Sequence, residues 1–368
     1  MTIKEELQIK LTRIRETLDQ LSLDAVYLKR QDSFAWLTGG GINYVGLGEM
    51  GNCGLLITRD SQYAITNNIE AARMREEEKL EELGYSIYAQ TWYETAFETE
   101  AIRCLVPSEK VGFDHNNPAG PNVFSSIRPL RFSLTEAEME RYQEGGYLTA
   151  RAIEETIAQV RPGDSELAIV GKLANRIRES GLDVVSAMCA ADERISNYRH
   201  PVPTERRVRE RVQLGGNMRY KGLIICCTRL MNFVPVTEQL AAQYRANVEV
   251  DCTFMANSIP GNTYVSALEA GQKAYQERGY GEEFKLHHQG GPIGYAGRDY
   301  RVDFTTPGLI AENQAFCWNP SITGTKSEDT VIATSEGILP VSRPILCPTM
   351  TLSVCGQTFT RPAIWECC

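Results

Sequence analysis

The chain has 368 residues, 42% of them hydrophobic and 23% charged, with a formal net charge of −9. That length predicts two domains rather than one, and the composition is that of a globular protein with ample material for a core. The acidic balance argues against nucleic acid or an anionic membrane as a partner. No apolar run approaches a membrane span, and the charged N-terminus MTIKEELQIK reads as a helix start rather than a signal peptide. Eleven cysteines, an odd number, show no zinc-type C-x-x-C spacing. Without a secretory signal they read as reduced thiols in the cytoplasm, with the terminal Cys367-Cys368 pair exposed and open to oxidation.

In chain order, Leu7, Leu11, Ile14, Leu18 and Leu21 recur at helical spacing and predict an amphipathic helix over 3–22. A short apolar strand follows at Asp24 to Leu28. The aromatic stretch from Phe34 runs into Gly39-Gly40-Gly41. Gly54 to Thr58 and Tyr63 to Asn67 read as paired strands around Asp60-Ser61. A helix over Ile69 to Leu83 and strands near Ser86 to Gln90 and Lys110 to Asp114 complete an alternating α/β pattern. Thr135 and Glu138 form a capping box that opens a long helix to Val160. Asp164 is placed to cap the next helix, with Leu167, Val170, Leu173 and Ile177 as its apolar face. Val212 to Leu230 reads as a buried hairpin of strands about five residues long, with Gly222 at the turn. A small hairpin is expected at Thr351 to Val354 and Phe359 to Ile364, turning at Gly356-Gln357.

The hairpin carries a resemblance. Tyr220, Gly222, Thr228 and Arg229 match the D-x-G-x-x-Y-x-G-Y-x-x-D-x-T-R pattern of the creatinase, aminopeptidase P and prolidase superfamily. Phe34 to Gly39 is similar to the N-x-x-W-L-T-G stretch of that superfamily's N-terminal domain, and Arg161-Pro162-Gly163 to its R-P-G turn. The resemblance implies an α/β (α+β) protein: an N-terminal creatinase-like α/β domain over 1–133, then a C-terminal pita-bread domain over 134–368.

Four further segments carry the site. Tyr198 to Thr204 resembles the H-x-x-P-T element, whose histidine is the general acid/base in metal-free creatinase; here it is His200. Imidazole titrates near neutrality and suits a proton shuttle. The competing reading is a loop histidine bonded to backbone. His287 to Gly294 resembles H-x-x-G-H-G-I-G; His287, Gly290, Ile293 and Gly294 match, and Gly291 stands at the metal-binding histidine. His288 has no counterpart there. Neighbours on a strand face opposite ways, so His287 is expected in the pocket and His288 on a surface or in a core. Tyr295 to Tyr300 resembles the Y-G-R-E element of creatinase, in which the arginine holds the substrate carboxylate. Arg298 takes that position, and its planar fork suits the task; an Arg298-Asp299 surface pair is the alternative. Cys317 to Thr330 resembles the segment with two metal-binding glutamates; Asn319 replaces the first and Glu328 keeps the second.

Along that frame the ligand set Asp, Asp, His, Glu, Glu becomes Gly215, Cys226, Gly291, Asn319 and Glu328. One carboxylate, one thiol and one amide are poor ligands for two hard divalent ions. The expectation is therefore a protein without metal or other cofactor, with a single soft ion on Cys226, a histidine and Glu328 as the alternative. Its catalytic residues are His200, His287 and Glu328, and Arg298, Asn319, Cys226 and Tyr220 contact substrate. The Cys226 thiol is either a nucleophile beside His200 or a packed, inert side chain. The function expected is a metal-independent, creatinase-like hydrolase or lyase acting on a small polar or carboxylate-bearing molecule. A non-catalytic pseudo-peptidase that binds a peptide or protein, and an Xaa-Pro dipeptidase or aminopeptidase P-like enzyme, are the alternatives. The resemblance also implies a homodimer, with the N-terminal domain of one subunit near the other's pocket, and the aromatic and glycine-rich stretch Phe34 to Tyr44 is a candidate for an interface or pocket mouth.

Overall fold

The computed structural model describes residues 1–367. The chain forms two compact units, Met1–Glu138 and the part from Met139 onward. In the first, helix α1 (Ile3–Leu21) opens on a Thr2 capping box. Strands β1 (Ala25–Arg30), β2 (Met50–Thr58), β3 (Gln62–Asn67), β4 (Ser86–Gln90) and β5 (Val111–Phe113) form one sheet in the order β4-β3-β2-β1-β5. Pairs β1/β2 and β2/β3 are antiparallel, while β3/β4 and β1/β5 are parallel. Leu7, Leu11, Ile14 and Leu18 are buried as the spacing predicts, and Leu21 is exposed. The same helix buries Lys10 completely: its position, three after Leu7 and four before Ile14, lies on the buried face, although its charged side chain is of a type usually found in solvent. Its ammonium lies 2.5 Å from Glu6 and 2.7 Å from Glu138, and it donates to Trp36 O at 2.6 Å. Full pairing is what makes such burial tolerable.

One expectation here is corrected. The helix expected over Ile69 to Leu83 is only Ala71–Glu76. Leu80 N bonds back to Met74 O, and Lys79 and Gly84 take positive φ (53° and 86°), so the backbone turns away from the helix. The aromatic stretch from Phe34 is a short helix (Gln31–Leu37) whose Phe34 and Trp36 are wholly buried. These two rings belong to a core, while further along the stretch Tyr44 is half-buried.

The chain passes from the first unit to the second along the long helix opened by the Thr135-Glu138 capping box, in which Thr135 N donates to Glu138 at 2.8 Å and Glu138 N to Thr135 at 3.2 Å. The helix runs Glu136–Ile157. The following helix, Glu166–Glu179, is capped by Ser165, and Asp164 instead accepts from Arg161 N. Of the expected face, Leu173 and Ile177 are buried together with Ile169, while Leu167 is exposed.

The second unit's strands include β6 (Asp183–Ala191), β7 (Arg211–Tyr220), β8 (Leu223–Asn232), β9 (Gly290–Pro292), β10 (Gln314–Trp318), β11 (Ser321–Ile322), β12 (Thr325–Lys326) and β13 (Asp329–Thr334); β11 and β12 pair with each other, apart from the main sheet. The order of that sheet is β6-β7-β8-β13-β10-β9. The β7–β8 hairpin has ten residues a side, twice the length expected. Lys221 and Gly222 turn it with φ of 47° and 82°, the left-handed pair of a type I′ turn. Two helices, Glu238–Asn257 and Tyr264–Glu277, pack together against the core that contains Phe254, Phe316 and Trp318. The C-terminal hairpin pairs Thr349–Val354 with Gln357–Pro362 around Cys355-Gly356. Of the terminal cysteine pair, Cys367 is exposed and Cys368 lies outside the described residues. Among the described residues, no helix is long and apolar enough to cross a membrane.

Candidate functional site

The hairpin register places Gly215 opposite Thr228 and Asn217 opposite Cys226. Cys226 is pinned through its backbone: its N–H donates to Thr330 Oγ1 at 2.8 Å, and the Thr330 hydroxyl donates to its carbonyl at 3.1 Å. Glu328 stands just before β13, and its two neighbours are clamped by buried charge. Arg229 contacts Glu154 at 2.7 Å and Asp329 at 2.9 Å, while Arg361 contacts Asp251 at 2.6 Å and Asp329 at 3.2 Å. Ser327 donates to Asp251 at 2.6 Å, and burial pushes the Asp251 carboxyl up to about 7 against the pull of Arg361. The network fixes Ser327 and Asp329, and so aims Glu328. Arg229 is thus an internal strut; the motif flagged it, but only the tertiary contacts give it a role.

Glu328 accepts a 2.6 Å hydrogen bond from the Thr228 hydroxyl and lies 3.6 Å from Lys326 and 3.8 Å from Arg298. Burial raises its carboxyl, but Lys326, Arg298 and the Thr228 hydroxyl outweigh that and hold it below the usual carboxylate range. The Arg298 guanidinium also donates towards Cys226 Sγ at 3.5 Å and Cys317 Sγ at 3.6 Å. Burial opposes its charge, yet Cys317, Cys226 and Glu328 hold it firmly protonated. Both thiols are fully buried. The hydrogen bond with Cys317 draws Cys226 below the ordinary thiol value against burial, with help from Arg298; burial and Cys226 push Cys317 well up. Thus one guanidinium sits on two sulfurs and a carboxylate.

These groups border a pocket of about 510 Å³. Its wall includes His200, His288, Arg298, Arg301, Lys326 and Glu328, with Asn217 and Asn319 as uncharged polar groups. Three cations face one carboxylate, so the cavity favours an anion. His200 is carried on a loop anchored at both ends: Arg199 bonds Glu283 at 2.6 Å, and Thr204 N and Oγ1 donate to Glu166 at 2.8 and 2.9 Å. The histidine segment 287–289 is organised by Gln289, whose amide donates to His287 O at 2.6 Å and Phe284 O at 3.0 Å. His287 Nε2 meets His200 Nε2 at 3.0 Å. Burial and the Lys326 charge lower His200 below its ordinary value, with Glu328 opposing. Burial, then Lys326, takes His287 down to about 2; burial, then Arg298, takes His288 to about 4.

The sequence-predicted residues are distributed as follows. His200, Glu328, Arg298 and Asn319 share the pocket wall. His287 reaches it through His200, and Cys226 lies behind Arg298. Tyr220 is not brought there: it ends β7, hydrogen-bonded to Glu144 and beneath the Lys221 ammonium at 5.0 Å. The expectation that His287 and His288 face opposite ways is also corrected. Residues 287–289 precede β9 and lie outside the ladder, so strand alternation does not apply. The two rings stack at 4.4 Å, and it is His288 that lines the pocket. Sequence reasoning missed Lys326, Arg301 and Cys317. Two of these carried a usable signal: Lys326 and Cys317 each stand two residues before a flagged side chain, and in extended chain such pairs share a face.

Comparisons with known proteins agree with this architecture. The profile of the creatinase/prolidase N-terminal domain matches residues 10–128, and that of metallopeptidase family M24 matches 140–335. The uncharacterized peptidase YqhT of Bacillus subtilis (strain 168) is 21% identical over 355 residues, covering 89% of this chain and 96% of that protein. An uncharacterized peptidase of Staphylococcus aureus (strain MW2) is 22% identical over 263 residues, 69% of this chain and 74% of that one. Among solved structures, the Xaa-Pro dipeptidase from Bacillus anthracis has a TM-score of 0.74 at 21% identity, covering 92% of this chain and 98% of that one. The X-Pro aminopeptidase from Thermotoga maritima MSB8 scores 0.76 at 15% identity, covering 97% and 99%. The N-terminal domain of FACT complex subunit SPT16 from Cicer arietinum scores 0.68 at 13%, covering 92% and 97%. With its pita-bread domain matched over more than half its length and the partner N-terminal domain ahead of it, the chain belongs to metallopeptidase family M24.

Proposed function

We propose that this member of the family is a hydrolase of small, carboxylate-bearing molecules that works without a dinuclear metal centre and uses His200 as its base. The observation that carries the reading is the charge arrangement: Arg298, Arg301 and Lys326 surround an uncharged His200 in one pocket. Two fits between residue and space support the absence of the metal pair. A Cβ at Gly215 would lie 2.3 Å from Thr228 Oγ1, and one at Gly291 would lie 2.6 Å from Val302 Cγ2. Side chains already fill the room that ligands at those positions need. Arg298 in turn supplies positive charge directly to Cys226, Cys317 and Glu328.

The chemistry follows from the tautomers. When His200 Nε2–H donates to His287 Nε2, the His200 Nδ1 lone pair is free to take a proton from water. Its lowered proton affinity keeps it unprotonated at neutral pH. Arg298 and Arg301 hold the substrate carboxylate; a guanidinium does so with two parallel hydrogen bonds. Glu328, held ionised, keeps Arg298 and Lys326 in place and offsets the imidazolium charge as it forms. Its role is thus positioning rather than proton transfer.

The test is turnover of dipeptides, small amides and amidines by chelator-treated protein, beside His200→Ala. Activity that survives the chelator and is lost in the variant is the expected result. Activity that disappears with the chelator and returns with Mn²⁺ or Co²⁺ overturns metal independence. It would favour the Xaa-Pro peptidase reading, which the peptidase names of the relatives support. Peptide binding without turnover would favour a pseudo-peptidase. We also infer pairing into a homodimer in the cytoplasm; a monomer by light scattering at micromolar concentration overturns the pairing.

A further inference from the structure

We propose that His200, His287 and His288 form a binding site for one divalent transition-metal ion of the borderline class that includes Zn²⁺ and Co²⁺. The site is distinct from the five ligand positions of the family's dinuclear centre.

One ring nitrogen from each of the three histidines lies within 4.8 Å of one from each of the others. The His200 and His287 Nε2 atoms are 3.0 Å apart. Two nitrogens on a tetrahedral zinc ion, each bonded at about 2.0–2.1 Å, stand about 3.3 Å apart, so the His200–His287 pair already has nearly the spacing required, and His288, within 4.8 Å, has to close only the remaining distance. The Nδ1 atoms of His287 and His288 are buried without a hydrogen-bond partner. All three rings are held in the neutral form that binds metal. Imidazole is the ligand type that zinc, nickel and copper share.

A second cluster, Cys226, Cys317 and Glu328, has donor atoms equally close together. There the Arg298 guanidinium already contacts all three groups, so an ion must displace it. No fixed cation sits between the imidazoles. The charges that face them are mixed. Arg199 is neutralised by Glu283 at 2.6 Å, and Lys326 and Arg298 share Glu328 at 3.6 and 3.8 Å. The remaining positive excess, with Arg301, selects an anionic fourth ligand: hydroxide, chloride or a carboxylate. A bound ion takes up a nitrogen of His200 and so inhibits turnover. That consequence rests on the function proposed above; the binding does not.

The experiment uses the full chain, reduced, with exposed thiols such as Cys104 and Cys355 blocked by iodoacetamide and adventitious metal removed by chelation. Co²⁺ is added and the visible ligand-field absorption recorded, with Zn²⁺ titrated in parallel by calorimetry. The expected result is one equivalent bound, unchanged in Cys226→Ser. Affinity should fall at least roughly tenfold in His288→Gln and in His200→Gln, since even loss of an outer-sphere partner costs that much. Circular dichroism controls for folding. No saturable binding, or unchanged affinity in folded His288→Gln, overturns the site. So does a thiolate-to-cobalt charge-transfer band that disappears in Cys226→Ser. Zinc that binds stoichiometrically yet leaves turnover unimpaired overturns His200 as the base and leaves the site standing.

Discussion

Replacing Arg298 with methionine tests whether the guanidinium is the fixed cation of the pocket. Methionine retains most of the apolar stem and removes the charge. Glu328 is 2% exposed and Arg298 15%, so solvent screens the pair little. At 3.8 Å and an effective dielectric of about 20, the attraction amounts to roughly 4 kcal/mol. Lys326, 3.6 Å from the other carboxylate oxygen, and the Thr228 hydroxyl at 2.6 Å both remain. They absorb part of the loss, and we expect about 2 kcal/mol of destabilisation at pH 7.5, below the roughly 3–5 kcal/mol seen when a buried charge is left wholly unpaired. The pH dependence is the sharper readout. In the native protein the Glu328 carboxyl is depressed, so its contribution is present above the unfolded value near 4.3 and fades as pH falls through the folded one. Without Arg298 the carboxyl moves up and that contribution shrinks. The gap between native protein and variant should therefore widen from pH 4 to pH 7.5. Urea unfolding followed by circular dichroism at four pH values measures it. A gap under about 0.5 kcal/mol, or one independent of pH, refutes the electrostatic account of the site.

The remaining predictions concern the imidazoles and the filled ligand positions. His200→Ala should lower kcat/KM by roughly two to four orders of magnitude, the range for loss of a general base, with an unchanged circular dichroism spectrum; full activity in the variant removes His200 from the mechanism. The acid limb of the native pH–rate profile should fall below pH 6.5, because burial depresses His200; a limb above 7 contradicts the assignment. The protein should lose stability as pH falls from about 6.5, the unfolded histidine value, towards 4, since His287 and His288 fold as neutral rings with values of about 2 and about 4; thermal melts that are flat across this window count against the neutral, half-buried pair. Gly291→His should not create a metal ligand. Its Cβ meets Val302 Cγ2 at 2.6 Å and Tyr300 O at 2.8 Å, on a backbone with φ of 141°, and we expect a loss of about 1–3 kcal/mol from overpacking. An undiminished melting temperature with bound manganese overturns that reasoning.

The sequence by itself carried what depends on local pattern. The period of Leu7, Leu11, Ile14 and Leu18 gave α1, the Thr135-Glu138 box opened the long helix, and Gly222 marked the hairpin turn, because each signal lies within a few residues of the element it specifies. The ordered motifs from Arg161 to Thr330 pointed to the family and brought His200, Arg298, Asn319 and Glu328 to one cavity wall. Boundaries were less legible: Ser165 rather than Asp164 caps its helix, and the choice between adjacent capping side chains turns on a single hydrogen bond.

What only the tertiary structure decided was which charges meet. Lys10, by its charge, reads as solvent-facing until Glu6 and Glu138 enclose it. Arg229 is a motif match until Glu154 and Asp329, distant in sequence, turn it into a strut. His288 looked superfluous under strand alternation, and stacks on His287 because the segment lies outside the ladder. Tyr220 matched its motif and still points to Glu144, since its place at the end of β7 carries it away from the pocket. Motif spacing constrains the backbone at short range. Burial and Coulomb interaction depend on distance in space, and no count along the chain supplies that distance.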